Sequence, residues 1–398
     1  MVGSALVRFA LIWWLTKETD SVTVLTTSSL VSTLPFILLA PVAGTLVDRW
    51  DRRWTMIVSD TMIALCTAFL AYLYWVGVAR IWHVYLILFL RSVGDTFQTP
   101  AMRASTSMMV PEEQLARVGG MNETLFGAVN IVSPPLGAFL IETISMQGTL
   151  AIDIVTAVMA IAPLLVWQIP RPESRRSPGR KRSVLRDFRE GMDYVWNWRG
   201  LFFMLVVLSG MRLFLAPSFS LLPLIVTRDF RGDALELAWM NSAHGFGFVT
   251  GGAILGMSGG FKRRTMTALV GLIGVGVGML AFSFVPTSAF WLALIVMFFR
   301  TMMVPLLRGS VMAIFQTYVP PEMQGRVFTL LVSSVTMMAP LGLAIGGPIA
   351  EAFGVRSVFV LAGVGCLLIA VVWVLSPEIM QLEERAAQRD VVPSSSPR

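Results

Sequence analysis

An all-α integral membrane protein made of two pseudo-symmetric six-helix bundles is the fold class that this sequence predicts. Three observations carry that expectation. Hydrophobic residues make up 55% of the 398 and charged residues only 14%, with a mean hydropathy of +0.72, well above a soluble chain of ordinary composition. The apolar residues fall into runs of about 18 to 28, long enough at ~1.5 Å per residue to cross a hydrocarbon core of roughly 30 Å as helices. Landmarks also recur at a constant offset of 209 residues: Arg91 with Arg300, Val110-Pro111 with Val319-Pro320, Arg117-Val118 with Arg326-Val327, Gly137 with Gly346 and Glu142 with Glu351. An internal repeat of this kind marks a transporter built from two like halves. A β-barrel is excluded, because its strands alternate over about ten residues rather than run apolar throughout.

Taken in order, the expected spans are 2–16, 23–47, 55–77, 81–102, 117–142 and 147–169, then 200–227, 235–260, 264–285, 288–317, 325–350 and 354–376. Residues 1–170 form the N-terminal bundle, 171–199 a cytoplasmic linker, 200–376 the C-terminal bundle and 377–398 a cytoplasmic tail. The first span, "MVGSALVRFALIWWL", has about fifteen residues and falls short of a full crossing. At the 209-residue offset, the start of span 7 maps about eight residues before Met1. The first span therefore reads as truncated, and a native start upstream of Met1 is expected. The linker "RPESRRSPGRKRSVLRDFREGMDYVWNWRG" is rich in arginine, and the apolar members of Val184–Trp198 suit either a helix lying on the membrane surface or a solvated basic loop.

Arginine and lysine concentrate after spans 2, 4, 6, 8 and 10, as at Arg49/Arg52/Arg53, Arg103/Arg117 and Lys262/Arg263/Arg264. The turns after spans 3, 5, 9 and 11 carry Arg80 and Arg356 at most. The positive-inside rule then puts both termini in the cytoplasm of a multi-pass protein in the plasma or inner membrane. It also accounts for the net charge of +7 without a nucleic-acid partner.

The loop "GTLVDRWDRR" (44–53) sets two acids and three arginines between two apolar runs. Gly44 would let a neighbouring backbone come close, Asp48 can accept from helix N-terminal amides, and Arg49, Arg52 and Arg53 can anchor at phosphates or against acids. The segment resembles the signature G-x-x-x-D-[RK]-x-x-[RK]-[RK] between the second and third helices of the major facilitator superfamily. A degenerate copy, "GMSGGFKRR", precedes span 9. The resemblance implies the major facilitator fold. It also implies that Gly44, Asp48, Arg49, Arg52 and Arg53 act as a conformational latch, with Asp48 meeting the start of the eleventh helix near Gln324 to Arg326. "LIWWLTKETDS", "LPFILLAPVAGTLVDRWDRR", "TPAMRASTSMMVPEEQLARV" and "LAIDIVTAVMAIAPL" are similar to the macrolide-efflux and enterobactin-exporter branch of drug:proton antiporters.

Ionised residues within spans are the remaining functional candidates, because charge at membrane depth is costly. Arg91 has Asp95 four residues on, on the same helical face, as its expected partner. Such a pair can couple proton movement to substrate. Arg8, Glu123, Arg212 and Arg300 join it as cavity and proton-coupling candidates, with His244 and Asp153 also inside spans. Trp13, Trp14, Phe36, Phe246, Phe298 and Met302 suit a cavity for bulky amphipathic molecules.

"GMNETLFGAVNIVSPPLGAF" resembles, in part, the fifth-helix motif of exporters. There Pro134 and Pro135 remove backbone donors, and Gly127 and Gly137 would admit a helix of the other half. Gly252, Gly256 and Gly260 recur every four positions on span 8 and read as a packing stripe.

The function expected is secondary active export of amphipathic macrolide-like, drug-like or siderophore-like molecules by a monomer. It would work by proton antiport and alternating access, with a proton gradient as driving force and no cofactor or metal. The competing readings are uptake or lipid flipping on the same fold and, from another class, a non-transporting receptor or scaffold. No G-x-x-x-x-G-K-[ST] phosphate loop and no H-E-x-x-H occurs, which argues against ATP hydrolysis and zinc hydrolysis, and no enzymatic activity is expected. Cys66 and Cys366 both lie in apolar runs, away from any disulfide framework.

Overall fold

The computed structural model describes residues 1–47, 50–166, 184–381 and 383. Among them every regular element is helical, as a chain that must satisfy its backbone within lipid requires. First come α1 (Val2–Thr19), α2 (Val22–Val47), α3 (Arg52–Val76), α4 (Ile81–Met109) and α5 (Glu112–Val166). α6 (Val184–Asn197), α7 (Arg199–Ser220) and the short α8 (Leu222–Leu224) follow, then a π turn over Ile225–Asp229. The chain continues with α9 (Ala234–Ser258), α10 (Arg264–Ser283), α11 (Phe290–Tyr318), α12 (Pro321–Phe353), α13 (Val355–Leu375) and α14 (Pro377–Met380).

Eight of the described helices are long and apolar enough to cross a membrane, where the sequence predicts twelve spans. The difference has a physical origin. α1, α4 and α9 carry Arg8 and Lys17, Arg91 and Asp95, and Asn241 and His244, which lower their hydropathy. α5 joins the fifth and sixth expected spans, divided by a backbone break at Ser145 (φ 66°, ψ 173°). Gly354 (φ 83°, ψ 159°) stands at the same register between α12 and α13. The duplicated chain thus turns at one position in both halves, and only the second copy has the residue that tolerates it without strain.

The Cα framework clusters into two compact units. One comprises Met1–Arg180 with Ser220–Ser242, the other Lys181–Phe219 with Ala243–Arg398. The repeat places Ser220–Ser242 in the second half, yet its polar contacts fall in the first unit. Ser220 Oγ donates to Leu25 O at 3.0 Å and meets Ser29 Oγ at 2.6 Å, while Arg228 Nε donates to Asp20 Oδ1 at 2.9 Å. Pro135 has no N–H for the carbonyl of Ile131, and Ser242 Oγ takes that free acceptor at 3.0 Å. The chain stays helical through Pro134 and Pro135, and the break at Ser145 falls between the expected spans 117–142 and 147–169.

In the first unit α1 packs along α5, α2 along α4, and α3 against both α4 and α5. Gly137 receives α1, since a Cβ there would stand 3.0 Å from the Phe9 ring. The expectation that it admits the other half is therefore corrected. In the second unit α10 packs against α11 and α13, and α12 against α13 and α6.

The linker's end forms α6. It is a helix docked on protein: Gly191 and Val195 are buried, Gly191 lies against the backbone of Arg326, and Arg326 Nη1 pairs with Glu190 Oε2 at 2.7 Å.

The glycine stripe of α9 is also corrected. No described atom lies within 4 Å of where a Cβ on Gly252 or Gly256 would stand. Gly260 is a turn residue at φ +75° beyond the helix. The close approach falls one step round the helix, where Cβ atoms on Gly247 and Gly251 would stand 2.3 Å from Phe298 O and 2.0 Å from Met302 O of α11. Gly251→Val should therefore lower stability by about 3 kcal/mol, the upper range for overpacking, whereas Gly256→Val should stay within about 0.5 kcal/mol of the parent. Thermal unfolding of the purified variants reads the difference, and equal effects would show the wrong face has been chosen.

Candidate functional site

The centre of the first unit is a buried ion pair across two elements. Arg91 of α4 is 7% exposed and Asp153 of α5 is 3% exposed. Arg91 Nη1 donates to Asp153 Oδ2 at 2.7 Å and also to Thr67 Oγ1 of α3. Thr67 Oγ1 bridges to the same carboxylate oxygen at 3.0 Å. Removing two charges from water costs several kcal/mol each, which only a close, fully hydrogen-bonded pair offsets. Gly3 makes room for it: a Cβ there would stand 2.7 Å from Asp153 Oδ1, so α1 can lie directly over the carboxylate.

The expected partner of Arg91, Asp95, is thereby corrected to Asp153. Shared helical face made Asp95 attractive, but Asp153 approaches from a facing helix. Asp95 is half-buried, and the cations acting on it are Arg8 and then Arg91. A further carboxylate, Asp60 of α3, is half-buried and feels the charges of Asp95 and Asp153. Sequence reasoning passed over Asp60, although it is an acid inside the apolar run "MIVSDTMIALC" and meets the criterion that selected Arg91. The three acids and two arginines form a mixed-charge cluster in one unit.

Glu123 lies on α5 with its side chain outside the described residues, and Gly127 is half-buried on the same helix. Arg8 is exposed on α1 and Arg212 on α7, where the neighbouring charge is Arg308, also a cation. Trp13 is 6% exposed, packed inside its unit, whereas Phe36 and Phe246 are exposed at 40% and 54%.

Of the loop signature, Asp48 and Arg49 lie outside the described residues. The two described arginines donate to backbone carbonyls of α4 and α5. Arg52 Nη1 donates to Ala104 O at 3.1 Å, in the last turns of α4. Arg53 donates to Leu164 O and, at 2.7 Å, to Leu165 O at the end of α5. A cation beside carbonyls near a helix C-terminus also meets the negative end of the helix dipole. Asp51 caps α3, accepting from the Arg53 and Trp54 amides at 3.0 and 3.3 Å.

Gly44 has no described atom within 4 Å of a Cβ position. The degenerate copy repeats the device: Arg264 donates to Ala313 O of α11 at 3.0 Å, 209 residues after Ala104. Its "GMSGG" spells G-x-S-x-G, but Ser258 ends α9, accepts from the Gly260 amide at 3.2 Å and sits on no strand-to-helix elbow.

Arg300, the repeat counterpart of Arg91, is 2% exposed on α11. Its Nη2 lies 3.1 Å from His244 Nδ1, 3.1 Å from Met297 Sδ and 3.2 Å from Thr301 Oγ1, and its guanidinium stacks 5.2 Å from the Phe219 ring. His244 therefore acts as an acceptor.

Residues 1–395 match the family described as transmembrane secretion effector. The chain is 31% identical over 383 residues to macrolide efflux protein A of Streptococcus pyogenes, covering 96% of this chain and 94% of that one. It is 27% identical over 393 residues to the multidrug efflux pump Tap of Mycolicibacterium fortuitum, covering 96% and 94%. The crystal structure of a point mutant of the nucleoside transporter NupG superposes with a TM-score of 0.67 at 12% identity, over 94% of this chain and 99% of that one, a likeness of fold alone.

Asp153→Asn should destabilise the protein by about 3–5 kcal/mol, because it leaves Arg91 buried without its acid. Adding Arg91→Gln should recover part of that loss, while Asp95→Asn alone should cost about 1 kcal/mol or less. A double-mutant cycle on thermal unfolding measures the coupling, and additive effects would refute the pair.

Proposed function

We propose drug efflux as the function of this chain, which belongs to the transmembrane secretion effector family of the major facilitator superfamily. In this reading the multi-pass membrane protein exports amphipathic, drug-like small molecules from the cell by alternating access. It works as a monomer with both termini in the cytoplasm, uses inward proton flow as driving force and needs no cofactor. It is a transporter, not an enzyme. The two repeated six-helix halves, 1–170 and 200–376, are the moving bodies, joined by the linker at 171–199. The near full-length likeness to chains named for macrolide and multidrug efflux supports the substrate class.

One observation carries the coupling: the first unit holds more carboxylates than its buried arginine can neutralise. Asp153 is committed to Arg91 and Thr67. Asp95, under the charges of Arg8 and Arg91, and Asp60 are half-buried and free of that commitment. A carboxylate in such a place can gain a proton from one side and release it to the other when its surroundings change. Exposed mid-helix arginines such as Arg8 face water rather than acyl chains on the same energetic ground. Bulky apolar substrates then bind by shape, on aromatic and methionine side chains, without fixed hydrogen bonds.

Proteoliposomes given an imposed pH gradient should drive uptake of a fluorescent dye or a macrolide into the compartment that is acidic. Asp95→Asn and Asp60→Asn should each lower the pH-driven flux by about tenfold or more while leaving counterflow exchange in place. Wild-type flux that ignores the gradient would sink proton coupling, and movement with the proton would point to uptake instead.

A further inference from the structure

The segment Ser220–Ser242 belongs to one half by sequence and to the other by structure. Subtracting the 209-residue offset sets it against residues 11–33, yet it lies in the first unit and bonds to Asp20, Leu25 and Ser29 of that same stretch. Asp229 is the repeat counterpart of Asp20, and Arg228 precedes it. Two copies of one turn therefore meet.

Arg228 Nε donates to Asp20 Oδ1 at 2.9 Å, and its Nη2 donates to Asp20 O. Ser220 Oγ stands 2.6 Å from Ser29 Oγ and donates to Leu25 O at 3.0 Å. Between these contacts α8 packs on α1, and Leu222, Leu224, Ile225 and Val226 are buried. At the far end of the segment Ser242 Oγ donates to Ile131 O at 3.0 Å. Asp20 presents its carbonyl from a left-handed backbone (φ 42°, ψ 36°), which aspartate enters more readily than most residues. Arg228 is carried by the π turn Ile225–Asp229, a form of helix that recurs at functional sites.

Two features mark this as a contact that opens. The ion pair is exposed, with side-chain accessibilities of 38% for Arg228 and 60% for Asp20, so it holds weakly and parts readily, unlike the buried pair of Arg91 and Asp153. The chain also passes from the second unit to the first where α7 stops: Leu221 sits in the bridge region (φ −97°, ψ 1°) before α8 begins. Element ends of this kind are where hinges lie.

We propose that Asp20, Ser29, Ser220 and Arg228 form a gate, holding Ser220–Ser242 on the first unit in the state described here and releasing it in the opposite state of the transport cycle. The inference rests on the transport reading above and adds to it the residues that part. It also adds the face on which they part, which bears the turns at 17–22 and 228–233 and is the non-cytoplasmic face in that reading.

Two measurements test the gate. Ser29→Cys combined with Ser220→Cys sets two thiols where hydroxyl oxygens stand 2.6 Å apart, close to the ~2.0 Å of a disulfide bond. In proteoliposomes, oxidising this double variant should lower pH-driven dye flux by about tenfold or more, and a reductant should restore it. Either single variant, with the same native Cys66 and Cys366, should ignore the oxidant. Full cross-linking by thiol counting with undiminished flux overturns the proposal, as do thiols that the oxidant fails to join. The second measurement needs no transport: adding Asp20→Asn should make a membrane-impermeant maleimide label the Ser220→Cys thiol about two- to fivefold faster, the change that losing an exposed ion pair supplies. An unchanged labelling rate overturns the proposal as well. If the reduced protein moves no dye under any gradient, the transport reading fails and the labelling rate alone decides the gate.

Discussion

Taking an arginine out of water is the constraint on which the first unit is arranged. Arg91 sits deep in α4, and its ion pair with Asp153 reaches across to α5 while Thr67 on α3 supports both partners. Three helices are therefore held by one polar contact in a setting where apolar surface gives little preference between protein and lipid. α1 then closes over the pair through Gly3. The same arrangement leaves Asp60 and Asp95 unclaimed, which is the property that the proposed coupling uses.

A second layer of order comes from helix ends. In lipid, the last carbonyls of a helix have no water to turn to. Arg53 donates to carbonyls in the last described turn of α5, while Arg52 and Arg264 add a side-chain donor to carbonyls of α4 and α11. The loop signature is thus built into each unit as a clamp, whatever it does as a latch. Ser242 answers the same need inside a helix, at the carbonyl that Pro135 leaves open.

Fold class and repeat were legible because both are written in local composition and in register: apolar runs need only length, and the 209-residue offset needs only counting. The partner of Arg91 was not. Asp95 was visible as a neighbour four residues away, whereas Asp153 lies 62 residues on and approaches only after α5 has packed against α3 and α4. The glycines of α9 failed for a similar reason: Gly247 and Gly251 have the same spacing as Gly252 and Gly256, and the face that meets α11 is chosen by the partner helix. Asp60 could have been found by the rule already in use, applied once more.

The turn shared by Ser145 and Gly354 leaves the two halves unequal in endurance. A serine at φ 66° and ψ 173° occupies a region that glycine alone enters freely. The first half therefore carries a built-in weak joint that the second half lacks, and heat, harsh detergent or a probing protease would find it there first.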